Sequence, residues 1–370
     1  MQVDCINPLA LSETDVAQWR ALLAANPAWT SPYLTPDWAQ YVARHRTDAR
    51  VVVYRNEFGI AQAFLPAQRP NAVMAAPIGG PVCDYQALIG PEDLDLSFAL
   101  KALNVGRIDF TAGLKDSPLS ARLLTEDAGH LVRFAQGFDA WAAERAATGS
   151  KTIARTRKKL NKLIRDNDGD VAIEAFSTDR RAFRQLVAWK REQYARTGVT
   201  DIFDHGWIDL LVRDIFAAPA WTRSFGGAMF VLRVKGKPAA VLFCLRAGTT
   251  LHAWFVAHDA ELADYSPGLI IFIEAIRAAA AAGYTELDLG PGDYPFKQSL
   301  ANASRPIGSG FVGRPGFSAV FKGAQFKVRA IVEALPVGRA RQWPAKAMRR
   351  LDVRAGLEQP HYPSPKRRAA

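Results

Sequence analysis

One order of elements occurs twice in this chain, and it limits the fold more than any single motif does. Gly59 falls in a turn (56–59) between two apolar runs, 51–54 and 60–65, and Asp109 follows fifty residues later inside the strand-like stretch RIDFTAG. Gly236 falls in a second turn (235–238) between the runs 229–234 and 239–245, and Asp288 follows fifty-two residues later inside TELDLGPG. Two β-favouring runs joined by a glycine turn predict a hairpin. Each acidic strand follows a stretch of helical periodicity. A repeated unit of this size points to duplicated α/β (α+β) domains, with mixed central sheets flanked by helices, rather than to a solenoid.

The remaining segments fit that plan. Ser12 and Thr35 are placed to cap two helices within 12–45, the first ended by Asn26-Pro27 and the second begun by Pro36. Residues 75–81 read as a Gly/Pro-rich loop, and 92–104 as a helix. In the second half 171–176 and 250–257 read as strands. Helices are predicted over 179–196, 205–217 and 267–282, with Gly198 and Gly283 ending the first and last.

At 370 residues, 49% apolar and 22% charged, the chain suits two domains and an extension, and its composition excludes wholesale disorder and a coiled-coil rod. The expected divisions are 1–145, 146–325 and an extension at 326–370. Cys5, Cys83 and Cys244 share no short spacing, which argues against a disulfide scaffold or CxxC zinc site and for a reducing compartment. The six histidines show no ligand spacing, so no metal is expected. No apolar run of the signal-peptide kind follows Met1. The most apolar stretch, 269–283, carries Glu274 and Arg277 and reads as a buried helix rather than a span. A cytoplasmic protein is the expectation.

The formal charge of +11 is unevenly placed. Residues 151–165 carry seven Lys/Arg and no acid, and residues 326–370 carry eleven against three, so the remainder is slightly acidic at −4. Two local basic elements on such a globule point to particular anionic contacts rather than to general DNA or RNA binding. Ile153, Leu160, Leu163 and Ile164 recur at helical spacing in the first element, a basic amphipathic helix. Prolines limit the second to helices at 328–335 and 345–354.

The densest chemistry lies at 250–297. Ser266, Pro267 and Gly268 form a cap, a first helical residue and a side-chain-free first turn, an arrangement whose N–H groups and positive helix end suit a diphosphate. The run Gly290-Pro291-Gly292-Asp293-Tyr294-Pro295-Phe296-Lys297 follows the next strand.

Taken together, SPYLTPDW (31–38), GGPVCDYQALI (79–89), WKREQYARTG (189–198), DIF (201–203), YSPGLI (265–270) and DLGPGDYPFK (288–297) resemble the CelD-like branch of the GNAT acyltransferases, which is related to FemAB and carries tandem GNAT-like domains. The resemblance runs from about residue 30 to residue 312. It implies acyl transfer from acetyl-CoA to an amine, on an amino sugar of a nucleotide- or lipid-linked exopolysaccharide precursor of the cellulose or holdfast kind. The usual glycine-rich diphosphate loop is reduced here to Gly268, and FemAB relatives use an aminoacyl-tRNA donor.

On this reading the strand 251–257, with Trp254, Phe255 and Val256, holds the donor and polarises its carbonyl, and Ser266, Gly268 and Leu269 meet its diphosphate. Asp293 is the candidate general base and needs burial to raise its pKa. Tyr294 is the candidate acid for the leaving thiolate, Lys297 pairs with Asp293 or meets an acceptor phosphate, and Asp288 lines the cleft or faces solvent. The acceptor would lie against Asp84, Tyr85 and Gln86 from the first domain and Trp189, Lys190, Tyr194, Arg196 and His252 from the second; aromatic faces beside polar groups suit a sugar. In the tail, Arg349 and Asp352 form an RxxD pattern with Arg339 and Arg341 upstream, which resembles cyclic di-GMP sites; the rival is an anionic inner-membrane surface. Two other functions stay open: aminoacyl transfer to a peptidoglycan precursor, and a non-catalytic nucleotide sensor.

Overall fold

The computed structural model describes residues 2–218, 225–335 and 343–357. Its strands are β1 (Gln2–Ile6), β2 (Ala49–Arg55), β3 (Ala61–Gln68), β4 (Met74–Pro77), β5 (Arg107–Leu114), β6 (Asp127–Arg133), β7 (Val171–Glu174), β8 (Gly226–Val234), β9 (Lys237–Ala247), β10 (Thr250–His258), β11 (Glu286–Pro291) and β12 (Ala303–Gly313). Its helices are α1 (Glu13–Ala25), α2 (Pro36–His45), α3 (Ser97–Ala102), α4 (Phe138–Ala147), α5 (Thr152–Asp166), α6 (Arg180–Thr197), α7 (Gly206–Ala217), α8 (Pro267–Ala281), α9 (Pro295–Leu300), α10 (Phe317–Ala334) and α11 (Trp343–Leu357).

Local chemistry sets several of these ends. The Ser12 hydroxyl accepts from the Asp15 amide and starts α1. Asp179 accepts from the Arg181 amide at the start of α6, and Gly198, at φ 65°, closes it. Both predicted hairpins form: β2 pairs antiparallel with β3, and β8 with β9. The loop expected at 75–81 instead begins as β4, held by parallel pairing of Met74 and Ala75 with Arg107 and Ile108. The helix expected over 92–104 is the short α3, and α10 starts eleven residues before the tail helix expected at 328.

Two compact units result, and neither is one continuous stretch. The first takes Met1–Asn26, Pro36–Glu126 and Ile307–Ala370; the second takes Pro27–Thr35 and Asp127–Pro306. In the first, β1 to β4 pair antiparallel in turn, β4 runs parallel to β5, and β5 pairs antiparallel with 307–313 of β12. In the second, β7 to β10 pair antiparallel in turn, β10 runs parallel to β11, and β11 pairs antiparallel with β6. The pairing scheme is the same in both. Each unit takes its last strand, β12 or β6, from the other half of the sequence.

Each unit has its own apolar core. Val52, Leu65, Leu100, Ile108 and Phe110 fill the first. Phe230, Leu242, Leu251, Ile271, Ile276 and Leu287 fill the second, and the half-buried Ile153 and Leu160 of α5 pack against it around the buried Leu163. The repeated aspartates occupy matching strands and are both buried: Asp109 on β5 pairs with Arg107 at 2.6 Å, and Asp288 on β11 pairs with Arg305 at 2.6 Å.

The units differ after the fourth strand. In the first, the turn that follows β4 is filled by its own unit. Gly79 sits at φ 86°, where a Cβ would lie 2.4 Å from Trp38, and the end of α11 covers Gly80, with the Gly356 carbonyl accepting from Arg46 and Gln68. In the second unit, the place after β10 is open.

Candidate active site

The opening starts from strand pairing. β10 and β11 pair in parallel through Thr250, Leu251 and His252 against Glu286, Leu287 and Asp288. No further pairing joins them among the described residues. β10 meanwhile stays paired to β9 as far as His258, with a register irregularity between Ala253 and Phe255. That irregularity breaks the alternation of a regular strand and brings the Trp254 and Phe255 rings to 4.8 Å. The backbone of β10 past His252 therefore has one edge in its sheet and the other turned to a gap.

Beside that gap lies a cavity of about 770 Å³. Val256, Ala257 and His258 line it from β10, Gly268, Leu269 and Phe272 from α8, Phe296 from α9, and Trp189, Glu192, Gln193 and Arg196 from α6. Asp259 and Glu261, on the turn between β10 and α8, complete its rim. Its volume is in the range of small-molecule sites.

The start of α8 meets this cavity. Ser266 does not cap the helix as expected. It sits at φ 55°, in the left-handed region, and its side chain makes no capping bond. Its hydroxyl instead accepts from the Lys159 ammonium of α5 at 2.7 Å. The basic helix thus brings a cation to the positive end of α8, a pairing suited to an anion. Gly268 leaves the backbone open here, and a Cβ would lie 3.1 Å from the exposed His258 ring.

At the root of the gap the polar groups are sealed. His252 and Asp288 are both without exposure, with His252 Nδ1 3.6 Å from Asp288 Oδ1. The Gly290 amide donates to Asp288 Oδ1, and Arg305 bonds Asp288 Oδ2, approaches Glu286 and donates to Thr30. The edge of the Tyr33 ring packs on His252 at 4.8 Å. The face of β11 opposite Leu287 and Leu289 does carry Asp288, as alternation required, but that face is closed to solvent. Asp288 and His252 hold the two strands together where they part.

The turn after β11 also departs from expectation. Lys297 is buried and donates to the carbonyls of Gly290 and Pro291, so it fixes the turn rather than pairing with Asp293. Asp293 is exposed and accepts from Gln298; the burial that its role as a base called for is not there. Tyr294 is exposed beside Phe296.

The acceptor candidates divide between the units. Asp84 is half-buried and Tyr85 and Gln86 are buried in the first unit, where Gln86 exchanges backbone bonds with Ala112 and Leu114. Trp189 and Arg196 line the cavity of the second. Lys190 contacts Gln193 at 3.0 Å and lies 5.0 Å over the Tyr194 ring; burial lowers its pKa and raises that of Tyr194. Tyr194 continues through Phe203 to Phe255, which ties α6 to the middle of β10. Arg349 is exposed, Asp352 is taken by Lys322 at 2.6 Å, and Arg339 and Arg341 lie outside the described residues. No group of three or more His, Cys, Asp or Glu able to hold a metal lies among the described residues.

Several cavity residues were legible only in part. Trp189, Gln193 and Arg196 share a helical face at four- and three-residue spacing, as Leu269 and Phe272 do at three. His258, Glu192, Glu261 and Arg305 carry no local pattern that marks them.

Residues 150–298 match the acetyltransferase (GNAT) domain family. No curated protein matches the chain. Three solved structures share its fold at low identity. FemX aligns with a TM-score of 0.55 and 11% identity, over 84% of this chain and 96% of that one. A Bacteroides thetaiotaomicron protein of unknown function gives 0.53 and 12%, over 84% and 100%. The C-terminal domain of a protein described as a lysylphosphatidylglycerol synthetase from Agrobacterium fabrum gives 0.51 and 15%, over 85% and 96%. The stretch that matches the acetyltransferase domain family lies in the second unit and holds the open cavity, and the first unit repeats its strand pairing.

Proposed function

We propose that this protein is an N-acyltransferase that moves an acetyl group from acetyl-CoA to the amine of an amino sugar on an exopolysaccharide precursor. The observation that carries the reading is the parting of β10 and β11 beside the cavity. Backbone N–H groups along the freed edge of β10 bind the extended donor and polarise its thioester carbonyl, where preorganised donors contribute most to the rate. The diphosphate lies at the start of α8, between the Gly268 backbone and the Lys159 ammonium. The amine nitrogen attacks the carbonyl carbon, a C–N bond forms, and the C–S bond breaks. The amine arrives neutral; exposed Asp293 is the candidate to take its proton after attack, and Tyr294 the candidate to return one to the thiolate.

The difference between the two units supports a donor site in the second. The matching turn of the first unit is covered by Trp38 and the end of α11. The acceptor then meets Trp189, Lys190, Tyr194 and Arg196, where aromatic faces beside polar groups suit a sugar.

Aminoacyl transfer to a peptidoglycan precursor is the second reading. Glu192, Asp259 and Glu261 on the cavity wall favour it, because they attract the ammonium of an aminoacyl group. Fold likeness to FemX is consistent with it. Titration calorimetry separates the two. Saturable binding of acetyl-CoA that is lost in Gly268→Val supports the first; no heat at millimolar acetyl-CoA, with binding of an aminoacyl-tRNA, supports the second and rejects the first.

A further inference from the structure

Helix α10 is built the wrong way round for a helix that only packs on its own unit. Its inward face is largely polar: Lys322 is buried between Asp109 and Asp352, Ser318 accepts from Arg107, and Phe326 stacks on Phe311. Its outward face is apolar. Phe317, Val320, Phe321, Val328, Ile331 and, at the C-cap, Leu335 recur at three- and four-residue spacing and are between 48% and 86% exposed. Phe317 and Phe321 stack on each other at 6.1 Å within this stripe. A surface helix ordinarily buries such a stripe, and a contiguous exposed one marks an interaction site.

The charge around the stripe says what covers it. The two acids of α10 and α11, Glu333 and Asp352, are already paired with Arg329 and Lys322. Lys327 on α10 and Lys346, Arg349 and Arg350 on α11 are exposed. α11, which meets α10 through Lys322 and Asp352, also exposes Trp343 and Leu351. An apolar stripe flanked by cations and by an exposed tryptophan has the chemistry of a helix that lies in a membrane interface. No described helix is long and apolar enough to cross a membrane.

We infer that α10, with α11 beside it, docks flat on an anionic lipid bilayer through the stripe from Phe317 to Leu335, the surrounding lysines and arginines meeting the lipid phosphates. Apolar burial supplies one part of the affinity and the surface potential the other. This inference concerns the first unit and stands independently of the reaction proposed for the second.

Vesicle sedimentation with the full chain tests it. The protein should pellet with equimolar phosphatidylglycerol–phosphatidylcholine vesicles, less with added salt, and weakly with phosphatidylcholine alone. Phe321→Glu with Ile331→Glu should weaken binding by about tenfold or more. Phe317→Ser with Val320→Ser serves as a second, milder pair. All four side chains are exposed, so thermal unfolding should not change. Arg349→Ala with Arg350→Ala should lower binding and flatten its salt dependence. Undiminished vesicle binding by both apolar pairs would overturn the inference, as would equal binding to neutral vesicles. So would absent vesicle binding together with a dimer, seen by ultracentrifugation, that the apolar pairs dissolve; that result assigns the stripe to a second copy of the chain. Cyclic di-GMP binding without vesicle binding would overturn it too.

Discussion

Arg305 holds its guanidinium 2.6 Å from the carboxylate of Asp288, and at least 97% of each side chain is out of water. The pair stands where β10 and β11 stop pairing, so it braces the root of the gap proposed to take the donor. Removing one member leaves the other as an uncompensated buried charge. Arg305→Ala should cost about 3–5 kcal/mol in denaturant unfolding. A cost near zero would mean that the network around Thr30 and Glu286 does not depend on this arginine.

The same pair sets an acid limit. Burial pushes the Asp288 carboxyl up, but Arg305, then His252 and the Gly290 amide, outweigh it and hold the carboxyl below the usual carboxylate range. Its folded pKa is therefore below the unfolded value of about 3.9. The stabilisation is complete above that value and is lost as pH falls through it toward the folded pKa. Asp288→Asn should flatten the acid limb of a stability–pH curve below about pH 5. An acid limb identical to that of the parent protein would refute the assignment.

Gly268 and Lys159 should affect donor binding more than folding. The Cβ of Gly268→Ala meets only the His258 ring, an exposed side chain that can turn aside. Calorimetry should show acetyl-CoA affinity down about tenfold in Gly268→Ala and about threefold in Lys159→Ala. The loss in Lys159→Ala should shrink at high salt, because an exposed cation is screened. Unfolding midpoints should move little in either variant.

Lys297 and Asp293 should separate cleanly. Lys297→Met strands two carbonyls at the end of β11, and charge-assisted bonds of this kind contribute about 1.5–3 kcal/mol each at most. Stability and turnover should both fall. Asp293→Asn should leave stability unchanged and lower kcat; unchanged kcat would dismiss Asp293 as the base.

The pH–rate profile offers an independent reading of that base. Asp293 is exposed and bonded to Gln298, not enclosed in an apolar pocket. The amine must then arrive largely neutral, and kcat/KM should climb with pH until the amine's own pKa, about 8 for an α-amino-like group. A plateau starting near pH 6 would point to a tuned base elsewhere in the site.

Much of the fold was legible because its signals are local. The hairpins around Gly59 and Gly236 need only two apolar runs and a glycine turn. The cap at Ser12 needs a few consecutive residues, and the amphipathic α5 shows its period within fifteen. The duplication was legible as spacing, and the identical pairing order of the two units bears it out. The swapped strands β6 and β12 were not seen. Neither has a turn partner next to it, and pairing over a long sequence separation leaves no local mark. Ser266 carried the right residue type for a cap but the wrong backbone: its φ is left-handed, and its hydroxyl accepts from Lys159, brought by α5 from 107 residues away in the chain.

The net charge of +11 was a property of the sequence alone, and so was its division between α5 and the tail. Part of the order of elements, the two hairpins and the helices after them, also followed from the chain, since hydrophobic period and turn chemistry act over a few residues. Burial was decided only in three dimensions. Asp288, Lys297 and Asp293 belong to one short motif, yet packing sealed the first against Arg305, spent the second on two carbonyls, and left the third in water. The face of α10 was settled the same way. Apolar residues recur along one side of it at helical spacing, but the unit takes up the opposite side through Lys322 and Phe326, and the stripe is turned outward. Which side of a helix is buried depends on what stands across from it, and that partner is brought by the tertiary fold.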